Sequence, residues 1–408
     1  MISATPEVWA AVSRPSIRKS KIIARLSAPV DGGSSEVRYL NEYHPKLSPI
    51  TWSIASIPNG WRGMRATLTL DNSSGDLSAF KSDGLFGPGT SDRMLGGLAE
   101  ISVSQAIAYG RQTFEIPVYT GVVSEIEWGN HGATAQVLMQ DRLSESLKLT
   151  TGSAFTIDRS FNLLDNALTF IRDHAGIDTA SSVVTSTRDY LFQILDDLEW
   201  YGLGLIEQGQ NVSNVFGALC RSCLCQPVLR EDGLLDFVHE WPLGLSGELD
   251  VETTFPTAVT DRNANLGGFR RANGRFTDIR VDYQNVSDVL PLDRNGNLFA
   301  NDTVLAYSAP YIQSLRQAAT IEGLLYPIVR RSEDLISFRT AGLGMLIQPG
   351  DVVPVEYGGA RHLYRVMTKR WTEDSIDCEA YRYQQRDEVQ NAALQTWGAA
   401  WSSTTAWM

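Results

Sequence analysis

Most of this chain alternates apolar and polar residues with a period of two, which favours antiparallel β-strands. In the first third the alternation runs through RATLTLDNSSGDL, FEIPVYTGVVSEIEW and ATAQVLMQ. In the last third it runs through FTDIRVDY, LISFRT, DVVPVEYGG, HLYRVMTKRW and SIDCEAYRY. Gly, Asn and Asp residues separate these segments, as expected for turns between strands. The pattern predicts a fold that is mainly β.

Helical periodicity is confined to two regions. One covers residues 161–224, with apolar residues three and four apart in FNLLDNALTFIRDHAG, RDYLFQILDDLEWYG and VSNVFGALCRSCL. The other is APYIQSLRQAATIEGLLYPIVRR at residues 309–331. The chain is therefore predicted to carry an α+β insertion between β-rich ends.

Two hairpins resemble each other, one near each end of the chain. VVSEIEW (122–128) and RVMTKRW (365–371) both end in Trp, and a second alternating strand begins five residues later in each. Superposing Trp128 on Trp371 aligns Ala135 with Cys378, Val137 with Ala380 and, less convincingly, Met139 with Arg382. The pattern fits two related β-barrels. It also fits two unrelated hairpins that look alike.

Composition excludes several classes of protein. The chain has 408 residues, 43% of them apolar and 20% charged, which indicates a globular protein of two to four domains. Its net charge of −12 disfavours tight nucleic-acid binding. No apolar run reaches the roughly 18–20 residues of a membrane span, and the first residues do not resemble a secretory leader. Four cysteines do not make a disulfide framework, so we expect folding in a reducing cytosol.

Three of the four cysteines, Cys220, Cys223 and Cys225, lie within six residues. A structural zinc site or an iron–sulfur cluster needs four ligands as a rule, so Cys378 or His239 would have to be recruited. Free cysteine is among the most buried residue types and packs as a small apolar side chain. We therefore expect packing, with no metal and no other cofactor.

Catalytic motifs are missing from the sequence. The five histidines lack HExxH spacing and there is no GxSxG. The Gly-rich segment GLFGPGTSDRMLGG lacks the ending of a phosphate-binding loop, and DRNGNL (293–298) departs from a calcium loop. We do not expect an enzyme.

The chain closes on QTWGAAWSSTTAWM, with Trp397, Trp401 and Trp407 close together. Such a tail can pack on its own domain. Aromatic anchors also dominate protein interfaces, and we favour a role in docking a partner.

The order of these pieces resembles the hub proteins at the tip or baseplate of phage tails, a family that includes the hub parts of type VI secretion spikes and of gene transfer agents. The similarity covers about residues 15–385. It includes ATLTLDNSSGDL with its Gly-rich loop, the helix that leads into CQPVLREDGLLDFVH, and the run from SAPYIQSLRQAATIEGLLYPIVRR to YRVMTKRW. FTDIRVDYQNV resembles the opening strand of the family's second barrel.

The resemblance implies a mainly β fold with an α+β insertion, in which two homologous antiparallel β-barrels accompany smaller α/β domains. The expected domains are a first barrel at 1–155, an α/β domain at 156–252, a second barrel at 253–390 with a helical insertion around 300–335, and a docking tail at 391–408. The family's cysteine-equivalent positions hold small or apolar residues, which again implies no metal.

The same resemblance implies a function. The chain would be a virion structural protein, assembled in the bacterial cytoplasm as a homotrimeric hub. It would cap the tail tube, adapt its six-fold symmetry to a three-fold tip and form the DNA exit channel. Expected partners are the tail tube ring, the tape-measure protein, a separate central fibre or spike, and the phage DNA. The alternatives are a tail-associated cell-wall hydrolase and a carbohydrate-binding β protein.

Overall fold

The structure is a computed structural model that describes most of the chain. It covers residues 4–14, 19–29, 35–55, 58–61, 63–78, 85, 99–109, 111–241, 257–272, 278–283, 304–330 and 333–383. The tail with Trp397, Trp401 and Trp407 lies outside the described residues, as do DRNGNL and all of the Gly-rich segment except Leu85.

Six α-helices lie in the described part of the chain: α1 (Pro6–Val12), α2 (Arg142–Leu147), α3 (Leu163–Ala175), α4 (Thr185–Asp197), α5 (Val212–Ser222) and α6 (Leu315–Arg330). Local sequence sets the ends of α3. The Asn162 side chain accepts a hydrogen bond from Asp165 N at 2.9 Å, and Gly176 follows the helix in the left-handed conformation that glycine favours.

The first sheet has seven antiparallel strands. The strands of this part of the chain are β1 (Lys19–Pro29), β2 (Ser35–Tyr39), β3 (Lys46–Leu47), β4 (Ile50–Ser53), β5 (Arg65–Asp71), β6 (Glu100–Tyr109), β7 (Gln112–Gly129) and β8 (Thr134–Gln140). Their order in the sheet is β2-β1-β6-β7-β8-β5-β3. The strand β4 does not pair in this sheet and belongs to the second one.

The remaining strands are β9 (Phe155–Thr156), β10 (Leu205–Ile206), β11 (Cys225–Leu229), β12 (Leu235–His239), β13 (Ala264–Ala272), β14 (Asp278–Asp282), β15 (Val304–Ser308), β16 (Glu333–Thr340), β17 (Val352–Tyr357), β18 (Ala360–Trp371) and β19 (Ile376–Arg382). The second sheet runs β13-β16-β19-β18-β17, and β4 pairs with β18. Val259 bonds to β17 through Pro354 O and Glu356 N, at 2.8 and 2.9 Å. The segment that leads into β13 therefore bonds to β17, which lies at the opposite edge of the sheet from β13.

The two sheets repeat one arrangement of four strands. In chain order β5, β6, β7 and β8 correspond to β16, β17, β18 and β19. Their orders in space, β6-β7-β8-β5 and β17-β18-β19-β16, are the same and every pairing is antiparallel. Both long strands shift register at the same distance before their Trp, at Ser124 in β7 and at Met367 in β18. The prediction of two related antiparallel β units with an α+β insertion is confirmed.

The residue alignment predicted within the second strand is wrong by two positions. Trp128 pairs with Ala135, whereas Trp371 pairs with Ile376. The turn after Trp128 is longer, because it contains the 3₁₀ turn Asn130–Gly132. The corrected equivalences are Ala135 with Ile376, Val137 with Cys378, and Met139 with Ala380, so Arg382 no longer falls on Met139. An even shift preserves the side on which a strand residue lies, and Cys378 is buried as predicted.

Two apolar cores organise the molecule. The first contains residues of α1 and of both large sheets, including Leu68, Val137 and Val366. The second contains residues of α3, α4 and α5, the β11–β12 hairpin, β14, β15 and α6. We call the elements around the second core the helical domain. The helix α6, which the resemblance places with the second barrel, therefore packs in the helical domain through residues such as Ile321 and Leu325.

The segment FTDIRVDY does not open the second barrel as predicted. It forms β14, which pairs in parallel with β15 instead of joining the second sheet. Its two inward residues, Ile279 and Val281, are buried in the core of the helical domain. The sheet position is taken by β13. The domain limits proposed from the sequence stay a prediction.

No helix in the described part of the chain combines the length and the apolar character needed to cross a membrane.

Gly350 tests the contact between the second sheet and the helical domain. Its φ of +99° disfavours other residues, and a Cβ atom there would overlap the Val238 side chain of β12. We expect Gly350→Ala to lower the free energy of unfolding by about 2–4 kcal/mol, measured by denaturant titration. Gly358, with φ +61° and no atom within 4 Å, is the matched control, for which we expect a loss of about 1 kcal/mol. Equal losses for the two variants would contradict the close contact.

Candidate functional site

The β11–β12 hairpin lies between the two large sheets. Its turn carries Glu231 and Gly233, and Glu240 follows β12. A Cβ atom on Gly233 would come within 3.3 Å of Thr120 in β7, so the turn touches the first sheet. Both glutamates are buried and face the second sheet, where they meet cations of β18. The hairpin is therefore the element through which the helical domain contacts both sheets.

Lys369 and Glu231 form a fully buried ion pair. Lys369 Nζ donates to Glu231 Oε1 at 2.5 Å, and both side chains are 2% exposed. The ammonium also donates to Ile347 O at 2.8 Å, and Gln348 Nε2 donates to the other carboxylate oxygen. Every oxygen of the carboxylate thus has a donor. This satisfies the condition under which buried charges are tolerated.

A second buried pair lies further along β18. Arg365 Nη1 donates to Glu240 Oε1 at 2.8 Å, with side chains 6% and 4% exposed. The guanidinium also lies over the Tyr383 ring, 5.1 Å from its centroid. Two ion pairs from one strand therefore bind one hairpin. Two contacts along a strand restrict rotation as well as separation of the parts that they join.

The N-terminal part of the chain reaches the same place through β4, which pairs in the second sheet. Trp52 of β4 packs with its ring 5.5 Å from Lys369 Nζ, in the geometry of a cation–π contact. Two residues past β4, Ala55 N donates to the Gln226 side chain of β11 at 3.1 Å. Lys369 therefore contacts β4 and the helical domain from its own strand of the second sheet. We call Lys369, Glu231, Trp52, Arg365 and Glu240 the buried junction.

The chemistry of the buried junction is structural. Its charged groups are enclosed by protein, and each is paired with an opposite charge. No substrate therefore reaches them, and neither carboxylate is positioned as an accessible acid or base. Breaking one partner of such a pair leaves a buried charge unpaired, which costs several kcal/mol. The junction can thus hold both sheets and the helical domain in one relative arrangement.

The cysteine cluster lies at the end of α5, and all three thiols are fully buried. Cys225 Sγ lies 3.2 Å from Cys223 O and donates to it. Cys378 belongs to the other apolar core, so the structure does not bring it to the cluster. His239 is opposite Cys225 in the β11–β12 register, and its ring packs against Tyr190 at 5.6 Å. In the parts of the chain that the structure describes, no group of three or more potential ligands is arranged to hold a metal.

The turn around these cysteines is fixed by aromatic donors. Trp200 Nε1 donates to Ser222 O at 2.8 Å, Trp241 Nε1 to Cys223 O at 2.6 Å, and Tyr307 OH to Arg221 O at 2.7 Å. These bonds satisfy carbonyls that the end of a helix leaves without intrahelical partners. Burial raises the pKa of each of the three thiols. This arrangement favours a packing role for the cluster.

A cavity of about 1260 Å³ opens beside the second sheet. Turns of that sheet line it, among them Gly358–Gly359 and the residues Asp374 and Ser375. The charged lining residues include both signs, and its described lining contains no histidine or cysteine.

Sequence reasoning did not find the buried junction, because Lys369 and Glu231 are 138 positions apart. One signal was available in the sequence. Lys369 lies two residues before Trp371 in a strand, so regular alternation places both side chains on the side that faces the core. The site residues that the sequence did predict, the three tail tryptophans, lie outside the described residues.

No family model and no curated protein matches the chain. Several solved structures are similar to it. A tail protein from Neisseria meningitidis MC58 is 14% identical, with a TM-score of 0.48 over 89% of this chain and 97% of that one. The 43 kDa tail protein of prophage MuSo2 from Shewanella oneidensis is 10% identical, with a TM-score of 0.45 over 90% and 98%.

The E. coli c3393 protein, a component of the type VI secretion system, is 10% identical, with a TM-score of 0.40 over 91% of this chain and 78% of that one. The three similar structures are thus two tail proteins and a component of the type VI secretion system.

Lys369→Met tests the buried junction. It leaves the Glu231 carboxylate buried without its cation, and we expect the free energy of unfolding to fall by about 3–5 kcal/mol in denaturant titration. Adding Glu231→Gln removes the unpaired charge and should recover part of this loss. Lys148→Met is the control, since Lys148 and Glu145 form a pair that is 53% and 49% exposed, and its effect should stay within about 0.5 kcal/mol. Similar effects for the two lysine variants would contradict the buried pair.

Thiol labelling tests the packing role of the cysteines. Burial raises the pKa of Cys378 to about 12 and raises the pKa of the other three thiols, so thiolate is scarce at pH 8. We expect N-ethylmaleimide to label the native protein more than about 100-fold more slowly than the unfolded chain, which should take up four labels in mass spectrometry. Rapid labelling of the native protein, or about one zinc per chain in metal analysis, would argue against packing.

Proposed function

We propose that the chain is a structural protein of a phage tail and forms a homotrimeric hub at the end of the tail tube. The observation that carries the proposal is the repeat of one four-strand arrangement in a single chain, with the same register shift in β7 and β18. The resemblance of the sequence to tail hub proteins supports the same assignment.

The repeat solves a problem of symmetry. Identical subunits in a closed ring follow a single rotation axis. A chain with two related sheets lets three copies present six similar surfaces to a six-fold tube while the assembly keeps a three-fold axis. The buried junction suits this role, because it fixes the second sheet on the β11–β12 hairpin, whose turn touches the first sheet.

The ring would surround the channel through which the tape-measure protein and then the phage DNA leave. The net charge of −12 suits such a channel, because an acidic wall repels phosphate. The other partners would be the tail tube ring and a separate central fibre or spike, held by the tail with Trp397, Trp401 and Trp407. The protein would be assembled in the host cytoplasm and reside in the virion.

In this proposal the chain has no catalytic role. The alternatives, a cell-wall hydrolase and a carbohydrate-binding β protein, differ in simple assays. Clearing of peptidoglycan in a zymogram would favour the first, and specific binding on a glycan array would favour the second.

Oligomeric state tests the proposal. The purified full chain should show a mass of three subunits in sedimentation equilibrium, because three copies are required to match the tube. Cryo-electron microscopy of the particle should place the protein at the tail tip. A chain that stays monomeric at every concentration and is missing from purified particles would overturn the assignment.

A further inference from the structure

One strand edge in the first sheet has no partner strand among the described residues. β6 pairs with β7 only as far as Val122. Beyond the register shift, Glu125–Trp128 of β7 pairs with β8 on one side, and no strand of the described chain occupies the other side. Unpaired strand edges are places where another chain can add a strand.

The equivalent edge in the second sheet is occupied. There β4 pairs with β18, with Ser53 opposite Thr368 and Ile50 opposite Trp371. Trp371 is 1% exposed, whereas its equivalent Trp128 is only half-buried. By analogy with the second sheet, the Glu125–Trp128 edge of β7 can pair with a short antiparallel strand.

The internal repeat identifies a second segment that is equivalent to β4. Leu47 of β3 pairs with Leu68, and Leu266 of β13 pairs with Phe338, which occupies the place of Leu68 in the second sheet. Three residues after Leu47 comes Ile50, the first residue of β4. Three residues after Leu266 comes Phe269, so Phe269–Ala272 corresponds to β4.

This segment is available for pairing. One edge of it pairs with β16, and no strand in the described residues pairs with its other edge. Phe269 is 44% exposed, and the side chains of Arg270 and Arg271 are 69% and 72% exposed.

We propose that Phe269–Arg271 of one copy of this chain adds as an antiparallel strand to the Glu125–Trp128 edge of the next copy. The proposal rests on the trimeric ring proposed above and names the surfaces that close it. The contact between β4 and β18 within a chain would then be repeated between chains. Each sheet in the ring would receive a strand from the sheet beside it.

At two of the paired positions the side chains of the two segments are complementary. In the register of β4 on β18, Phe269 lies opposite Trp128 and Arg270 lies opposite Glu127. Glu125 and Glu127 are exposed, and neither forms an ion pair with another described residue. Opposite charges and paired aromatic residues are the cross-strand neighbours that stabilise antiparallel pairing.

Disulfide trapping in the full chain tests the register. Directly opposite residues in antiparallel strands have Cβ atoms about 4.5–5.5 Å apart, within reach of a disulfide after a small adjustment. We expect Arg270→Cys with Glu127→Cys to give covalent trimers on a non-reducing gel after oxidation. The native cysteines are buried and should not interfere. Arg270→Cys with Thr113→Cys, at an exposed position elsewhere on β7, is the control and should give no trimers.

Charge reversal is the second measurement. Glu127→Arg should weaken trimer formation at least about tenfold, as should Arg270→Glu, and combining the two changes should restore it. A wild-type trimer that neither reversal affects, or that cross-links equally in the control, would overturn this interface and leave the hub assignment intact. A wild-type monomer would overturn both.

Discussion

The buried pair between Lys369 and Glu231 is the interaction on which the rest of the arrangement depends. It joins the C-terminal end of the longest strand of the second sheet to the hairpin of the helical domain, and Trp52 from the N-terminal part of the chain packs over it. Taking two charges out of water is costly, so the pair is a poor way to gain stability alone. The pair does specify one arrangement of the second sheet and the hairpin, because any other relative position of the two leaves both charges buried without partners. A scaffold that presents two sheets at a fixed angle needs this kind of specificity.

Sequence reasoning recovered the elements whose information is local. The period-two segments became strands, the two helical regions became α3 to α6, and Gly176 ends α3 as a left-handed glycine. The relation between the two hairpins was visible because each first strand leads to a Trp and a second alternating strand follows five residues later. The inward position of Cys378 was also correct, since side-chain direction depends only on the parity of the strand.

What could not be predicted depends on contacts between distant parts of the chain. The alignment of the second strands failed because the length of a turn is not encoded in the strands that it joins, and the 3₁₀ turn at Asn130–Gly132 adds two residues. β14 alternates as a sheet strand does, but its two apolar residues are buried in the helical domain. Nothing near Lys369 or Glu231 marks either as the partner of the other, because the pair exists only once the second sheet and the hairpin have met.

The pairing of β4 with β18 has a consequence for how the protein is made. Ile50 leaves the ribosome early, and its partner Trp371 is among the last residues of the second sheet. At bacterial rates of roughly 5–20 residues per second, β4 waits tens of seconds before its partner exists. During synthesis β4 therefore stays without its partner strand until β18 has left the ribosome. The N-terminal part of the chain cannot complete its fold before the C-terminal part is made. A truncated product that lacks β18 therefore leaves β4 without its partner strand.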